Sequence, residues 1–299
     1  MPTITIIGPG AIGGTVAAWL AQDKVNHVSI CARTSFDRLQ LDTPEGSLVV
    51  KPQLFTSPEE VKEANWVLIA TKAYDVISTV QWLPKLIGPS TRVAILQNGV
   101  EHLERFAPFL ATSQLVPVIV DLSAERKAPG HIWQRSTGSL VAPANDNGRE
   151  FVQLFASTPL AATVTNDFRT HAWRKLTLNC TGVVPALLLN SVNVDQDEEM
   201  AGLMRTLIRE CIQVGRAEGA LLDDALAEEI IDRFRNRPSN SINSLHADRL
   251  AGRPIEIDAR NGAVVRIGQK HRIDTPMNRL MVALLKAALT NPVKNLRTE

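Results

Sequence analysis

Tyrosine is almost absent from these 299 residues, and cysteine is scarce. The only tyrosine is Tyr74 and the residue four places later is Ser78, which excludes the Tyr-x-x-x-Lys pair of a short-chain dehydrogenase. The three cysteines, Cys31, Cys180 and Cys211, are odd in number, far apart and form no Cys-x-x-Cys. They read as free thiols of a reducing compartment and are too few for a structural zinc site, so no metal is expected. No charge of one sign dominates, because 32 basic residues against 31 acidic ones leave a net charge of +1. Neither nucleic acid nor a membrane surface is therefore expected as a partner. Long hydrophobic runs are missing as well: the longest, 183–189, is far below the roughly 20 residues that cross a bilayer. The chain opens Met-Pro-Thr and enters an apolar strand without the basic start and cleavage site of a signal peptide, so a cytoplasmic protein is expected. Gly-x-Ser-x-Gly, the Walker lysine motif and His-Glu-x-x-His are also lacking.

What is there is ordinary globular material, with 44% hydrophobic and 21% charged residues. The length favours two domains. In the first half, apolar strand patterns at Thr3–Ile7, His27–Cys31, 66–71 and 92–96 alternate with helical patterns. Continuous apolar strands separated by helices predict a parallel sheet covered on both faces. Shorter strand patterns follow at 115–120, His131–Gln134 and 139–141, with turns expected at 127–130 and 143–148. Beyond about residue 167 the pattern is helical, at 169–189, 198–218, 223–234, 255–271 and 276–289. Thr275-Pro276 reads as an N-cap followed by proline at the first helical position. The expected fold class is α/β, a doubly wound sheet in residues 1–167 followed by an all-helical domain in 168–299.

The most specific motif is Gly8-Pro9-Gly10-Ala11-Ile12-Gly13, directly after the first strand and opening the first helix. Gly8 permits the tight turn, Gly10 admits a pyrophosphate close to the backbone, and Gly13 allows close helix–strand packing. The helix start offers free N–H groups to phosphates, so a dinucleotide is expected. An NAD enzyme would carry Asp or Glu at the end of the second strand. Here the strand ends Ile30-Cys31-Ala32-Arg33-Thr34, with no carboxylate and an arginine able to pair a 2′-phosphate. That choice favours NADP(H), a solvated surface arginine being the alternative.

Lys72 and Asn98 follow the third and fourth apolar strands of this half, where the carboxyl ends of parallel strands line a ligand crevice. A surface cation and a plain Asn-Gly turn are the competing readings. In the helical half, Lys175 and Asn179 share a helix face within Trp173-Arg174-Lys175-Leu176-Thr177-Leu178-Asn179. A lysine among that much apolar material is expected to be partly desolvated and suited to proton donation, although lysines also snorkel from such faces. Glu256, between Ile255 and Ile257, and the Asn243-Ser244 pair are further polar residues in apolar company.

Taken in order, these pieces resemble the ketopantoate reductase (2-dehydropantoate 2-reductase) family over nearly the whole chain. The resemblance is carried by GPGAIGG, Arg33, ATKAYD around Lys72, LQNGV around Asn98, WRKLTLNC around Lys175, and NSLHADRLAGRPIEIDARNG around Ser244 and Glu256. It implies a Rossmann NADP-binding domain in 1–167 and a helical substrate and dimerisation domain in 168–299. It implies NADPH-dependent reduction of a small 2-oxo acid, ketopantoate to pantoate in pantothenate and coenzyme A biosynthesis, with Lys175 as general acid. By the same carry-over Asn98 touches nicotinamide and substrate, and Asn179 and Ser244 bind substrate. Glu256 contacts the cofactor and helps place the lysine, and Gly8 to Gly13, Arg33 and Lys72 hold the cofactor. A homodimer through the C-terminal helices fits as well.

One departure falls at the substrate. The family continues its lysine helix Lys-x-x-x-Asn-x-x-x-Asn-Pro, whereas here the run is KLTLNCTGVVP: Val183 takes the second asparagine's place, the proline comes one residue late at Pro185, and Gly182 is expected to loosen the helix. Asp121 also lies in a segment, Val120-Asp121-Leu122-Ser123-Ala124, that departs from the family's small and histidine-containing run. A reductase of another 2-oxo acid and a non-catalytic NADP(H) sensor therefore stay open.

Overall fold

A computed structural model describes residues 1–190, 196–237 and 242–290. The chain divides into two compact units, Met1–Phe168 and Arg169–Glu299. The first is built on a six-stranded sheet of β1 (Thr3–Ile7), β2 (His27–Cys31), β3 (Gln53–Phe55), β4 (Trp66–Ile69), β5 (Arg92–Ile95) and β6 (Leu115–Pro117). Every neighbouring pair is parallel and the order is β3-β2-β1-β4-β5-β6. This is the dinucleotide-binding order 3-2-1-4-5-6, in which the winding reverses between β1 and β4.

Both faces of the sheet are covered. On one side Ile4 and Ile6 pack with Val16, Ala17 and Leu20 of helix α1 (Ala11–Gln22). On the other, Ile7, Val67, Ile69 and Ile95 pack with Leu83, Leu86 and Phe106. Alternate side chains of each strand are thereby buried in opposite layers, which is why these strands read as unbroken apolar runs.

The run at 115–120 is not one strand. It leaves the main sheet at the fully buried Val118 and resumes as Ile119–Asp121 in a three-stranded sheet with Ser139–Pro143 and Ala161–Thr165. A further four-stranded sheet joins Leu39–Thr43, Gly46–Val50, Ala124–Ala128 and His131–Gln134. The turn expected at 143–148 is largely helix: Asn145 caps Asp146–Gln153 by accepting from the Gly148 N–H at 2.8 Å.

The second unit is helical among its described residues: α2 (Phe168–Thr181), α3 (Val183–Leu188), α4 (Glu198–Ala217), α5 (Leu226–Arg235), α6 (Ser244–Leu250), α7 (Asn261–Lys270) and α8 (Pro276–Thr290). Met204, Leu207, Ile208, Cys211 and Ile212 form the buried stripe of α4. The helix expected at 169–189 is interrupted at Gly182. The one expected at 255–271 begins only at Asn261, so Glu256 lies in the connecting segment. At the start of α8, Thr275 holds the N-cap position, but the side-chain cap comes from the buried Glu210 of α4. Its carboxylate accepts from the Met277 and Asn278 N–H groups at 2.8 and 2.9 Å. The three cysteines are free and buried, and burial pushes the Cys31 thiol up to about 12.

Candidate active site

In the first unit the candidate residues gather at the carboxyl ends of β1, β4 and β5. Gly8 leaves β1 with φ +93°, and its N–H still donates to Cys31 O of β2 at 3.1 Å. A Cβ at Gly8 would lie 2.9 Å from Thr71 N, and one at Gly13 would lie 2.2 Å from Gly8 O. Both positions accept glycine alone, for conformational reasons at Gly8 and for space at Gly13. Gly10 differs, because a Cβ there would meet nothing within 4 Å. As the N-cap of α1 it offers no side-chain acceptor, so the first-turn N–H groups of the helix have no side-chain cap. A tight turn, an uncapped helix start and room above Gly10 together fit the pyrophosphate of a dinucleotide. Pro9, Ala11 and Ile12 complete this half-buried loop.

Lys72 follows Thr71, so the glycine loop brings it into the same crevice; its side chain is half-buried. Gln97, at the end of β5, ties the next loop to this one: its amide donates to Thr71 Oγ1 at 3.1 Å and to Lys72 O at 3.3 Å. Asn98 and Gly99 follow, Gly99 with φ +107°. The loop is held from behind by two residues that sequence reasoning missed. His102, buried, bonds through Nε2 to Gln97 O at 2.8 Å, and Arg105 donates from Nη1 to Gln97 Oε1 and Asn98 O, each at 3.2 Å. Because Gln97 O only accepts, Nε2 carries the proton. Burial first, then the charge of Arg105, lowers His102 from 6.5 to about 4, so the ring is neutral near pH 7. Their spacing of three residues just after LQNGV was the available signal, and it resembles an ordinary polar helix face.

Arg33, after β2, is highly exposed, and its Nη2 lies 3.9 Å from Asp75 Oδ2. Such an exposed pair is weak and leaves the guanidinium available to another anion. Asp121 sits exposed at the end of its short strand.

In the second unit, Lys175 and Asn179 lie one turn apart on α2, both half-buried, flanked by the buried Trp173 and Leu176. The break at Gly182 has a definite cause. A Cβ there would lie 3.1 Å from Asn243 Cγ, and Asn243 Nδ2 donates to Gly182 O at 3.2 Å. Asn243 also caps α6, its Oδ1 accepting from the His246 N–H at 3.0 Å. One side chain thus fixes the end of the lysine helix against the start of α6. Ser244, exposed, is the first residue of α6, and Arg260 donates from Nη2 to its Oγ at 2.8 Å. Glu256 is buried four residues before Arg260. The segment is pinned to α2 by Asn261, whose Nδ2 donates to Cys180 O at 3.2 Å and Asn278 Oδ1 at 2.9 Å. Val183, in the place of the family's second asparagine, is fully buried at the start of α3.

The chain is similar to known proteins along nearly its whole length. The model of ketopantoate reductase PanE/ApbA matches residues 4–147, and that of its C-terminal part matches residues 167–289. The chain belongs to the ketopantoate reductase family. It is 51% identical to a 2-dehydropantoate 2-reductase of Caulobacter vibrioides over 96% of this chain and 99% of that one. With the enzyme of the same name from Mycobacterium tuberculosis it shares 36% identity, over 97% and 98% of the two chains. A crystal structure of a PanE/ApbA family ketopantoate reductase from Ralstonia eutropha superposes with a TM-score of 0.88 at 29% identity, covering 96% of this chain and 98% of that one. The described residues thus carry polar groups at two places: the loop ends that bear Gly8, Lys72 and Asn98, and the two helices joined by Asn243 and Gly182, α2 with Lys175 and Asn179 and α6 with Ser244. Among the described residues no group of three or more His, Cys, Asp and Glu could hold a metal ion, and no helix is long and apolar enough to cross a membrane.

Proposed function

We propose that this protein reduces 2-dehydropantoate (ketopantoate) to pantoate with NADPH, acting in the cytoplasm in pantothenate biosynthesis. The observation that carries the reading is the half-buried Lys175–Asn179 face of α2, a helix whose end Asn243 ties to the helix that Ser244 begins, in a chain whose glycine loop fits a dinucleotide. Bound to the first unit, NADPH would supply the hydride that reaches the 2-oxo carbon. The glycine loop from Gly8 to Gly13 would hold the pyrophosphate through backbone N–H groups. Arg33 would pair the 2′-phosphate, in competition with Asp75, and Lys72 would take a phosphate or ribose oxygen.

Hydride arrival turns the ketone oxygen into an alkoxide. The Lys175 ammonium stabilises that charge and gives it a proton, and Glu256 would help place the lysine and contact the cofactor. Asn98 would touch both the nicotinamide and the substrate, and Asn179 and Ser244 would bind the substrate. A second copy of the chain would pack on the C-terminal helices, where Leu280 and Leu284 lie exposed one turn apart on α8.

The test is steady-state oxidation of NADPH with ketopantoate and a panel of other 2-oxo acids. Ketopantoate is expected to be the best substrate, and its being the poorest rejects the assignment in favour of another 2-oxo acid. Lys175→Ala is expected to lower kcat by about 10²- to 10⁴-fold with NADPH affinity nearly unchanged. Equal turnover in that variant removes Lys175 as general acid. NADPH binding by calorimetry with no oxidation across the panel selects the sensor reading.

A further inference from the structure

Arg260 is among the largest fully buried side chains of the protein, at 2% exposure. A guanidinium stays charged at any working pH and is seldom buried without a counter-charge. Among the described residues Arg260 forms no ion pair, and its Nε is buried with no hydrogen-bond partner. Its Nη2 donates to Ser244 Oγ at 2.8 Å. The arrangement is an uncompensated cation lying beneath an exposed hydroxyl. A serine hydroxyl has one proton and two lone pairs. One lone pair is taken by the guanidinium, which leaves the Ser244 O–H to donate to a further acceptor on its exposed side. The charge below favours an anionic oxygen there over a neutral one, because the protein around Arg260 screens far less than water. Val183, fully buried and apolar, supplies no competing donor.

We infer that Arg260 is a positioning residue for the substrate's carboxylate, turning the Ser244 hydroxyl toward it and supplying the buried positive charge that selects an acid over a neutral ketone. The inference rests on the 2-oxo acid reductase reading above and names the part of that substrate which this junction recognises. Arg260 acts through Ser244 and takes no part in proton or hydride transfer.

Kinetics of the full chain with saturating NADPH and varied ketopantoate test this, using Arg260→Met, Arg260→Lys, Ser244→Ala and the Arg260→Met/Ser244→Ala double variant. Methionine removes the charge while filling much of the space, and an apolar chain needs no partner for a buried charge. Arg260→Met is expected to raise KM for the acid by about 10- to 100-fold, the range of a lost charge-assisted hydrogen bond, with kcat and the NADPH Kd nearly unchanged. Arg260→Lys is expected to recover part of that loss. The double variant should be little worse than either single variant, because both remove the same interaction. The methyl ester of ketopantoate should be a poor substrate for the parent chain, and Arg260→Met should no longer prefer the acid. An unchanged KM, a loss confined to kcat or to NADPH affinity, or additive effects of the two substitutions overturn the role of Arg260 while leaving the reductase reading intact. If Arg260→Met does not fold, the partial recovery in Arg260→Lys relative to Ser244→Ala and their acid-to-ester ratios decide the matter. A parent chain that reduces no 2-oxo acid removes the reading itself and this inference with it.

Discussion

Lowering the pH should loosen the first unit through one histidine, and the size of the effect follows from where that histidine sits. His102 is 2% exposed, bonded to Gln97 O and close to Arg105. These surroundings lower it from 6.5 to about 4. Between those values the unfolded chain binds a proton that the folded chain refuses, so stability is present above pH 6.5 and is lost as pH falls through 4. At about 1.4 kcal/mol per pH unit the whole gap is worth about 3 kcal/mol, of which about 2.5 kcal/mol is lost by pH 4.5. His102→Gln keeps an amide N–H for Gln97 O and removes the titration. Urea unfolding followed by tryptophan fluorescence suits the measurement, because Trp19, Trp66, Trp82 and Trp133 lie in the first unit and only Trp173 lies outside it. Between pH 7 and 4.5 the parent chain should lose about 2.5 kcal/mol more than the glutamine variant. The other titrating groups are common to both proteins and cancel in the difference. Parallel pH profiles would refute the argument and would mean that His102 protonates in the folded chain as readily as in the unfolded one.

Two further outcomes concern the cofactor half. Gly13→Ala places a methyl 2.2 Å from Gly8 O, so the turn must open. A thermal-shift titration should show weaker NADPH binding together with a stability loss of about 1–3 kcal/mol. Unaltered binding would mean that the close packing at Gly13 does not support the coenzyme loop. Arg33→Asp replaces the cation by a second carboxylate beside Asp75. Fluorescence titration should find NADPH weakened about 10- to 100-fold more than NADH, and an unchanged ratio would reject Arg33 as the reader of the 2′-phosphate.

Much of the cofactor half could be read directly. The strand–glycine–helix passage from Thr3 to Gln22 is local, and each glycine has a local reason that one sequence displays. The apolar strands were legible for the same reason, since burial on both faces leaves no room for polar alternation. The small strands at Gly46–Val50 and Gln53–Phe55 were not, because half-exposed segments of three to five residues carry too little periodicity. Nor was the division of 115–120 between two sheets, which turns on a single buried residue, Val118. Gly182 signals a loosened helix, but neither the full break there nor the late helix start at Asn261 is visible in apolar periodicity, which continues past points where a distant side chain intervenes. Asn243 reaches back to Gly182 across 61 residues of chain.

The candidate site divides along the same line. The amino-acid order alone determined the dinucleotide loop, the missing carboxylate after β2, and the spacing of Lys175 and Asn179, since each depends on neighbours within one turn or one strand end. Tertiary structure alone decided which groups stand behind them. His102 and Arg105 support Asn98 because the chain after β5 folds back on its own loop. Glu210 caps a helix that begins 66 residues later, and Arg260 lies buried beneath Ser244 although charge and position would place it on a surface. Periodicity tells which residues share a face; only packing tells which charge is shut away from water, and that exclusion gives a buried cation its influence.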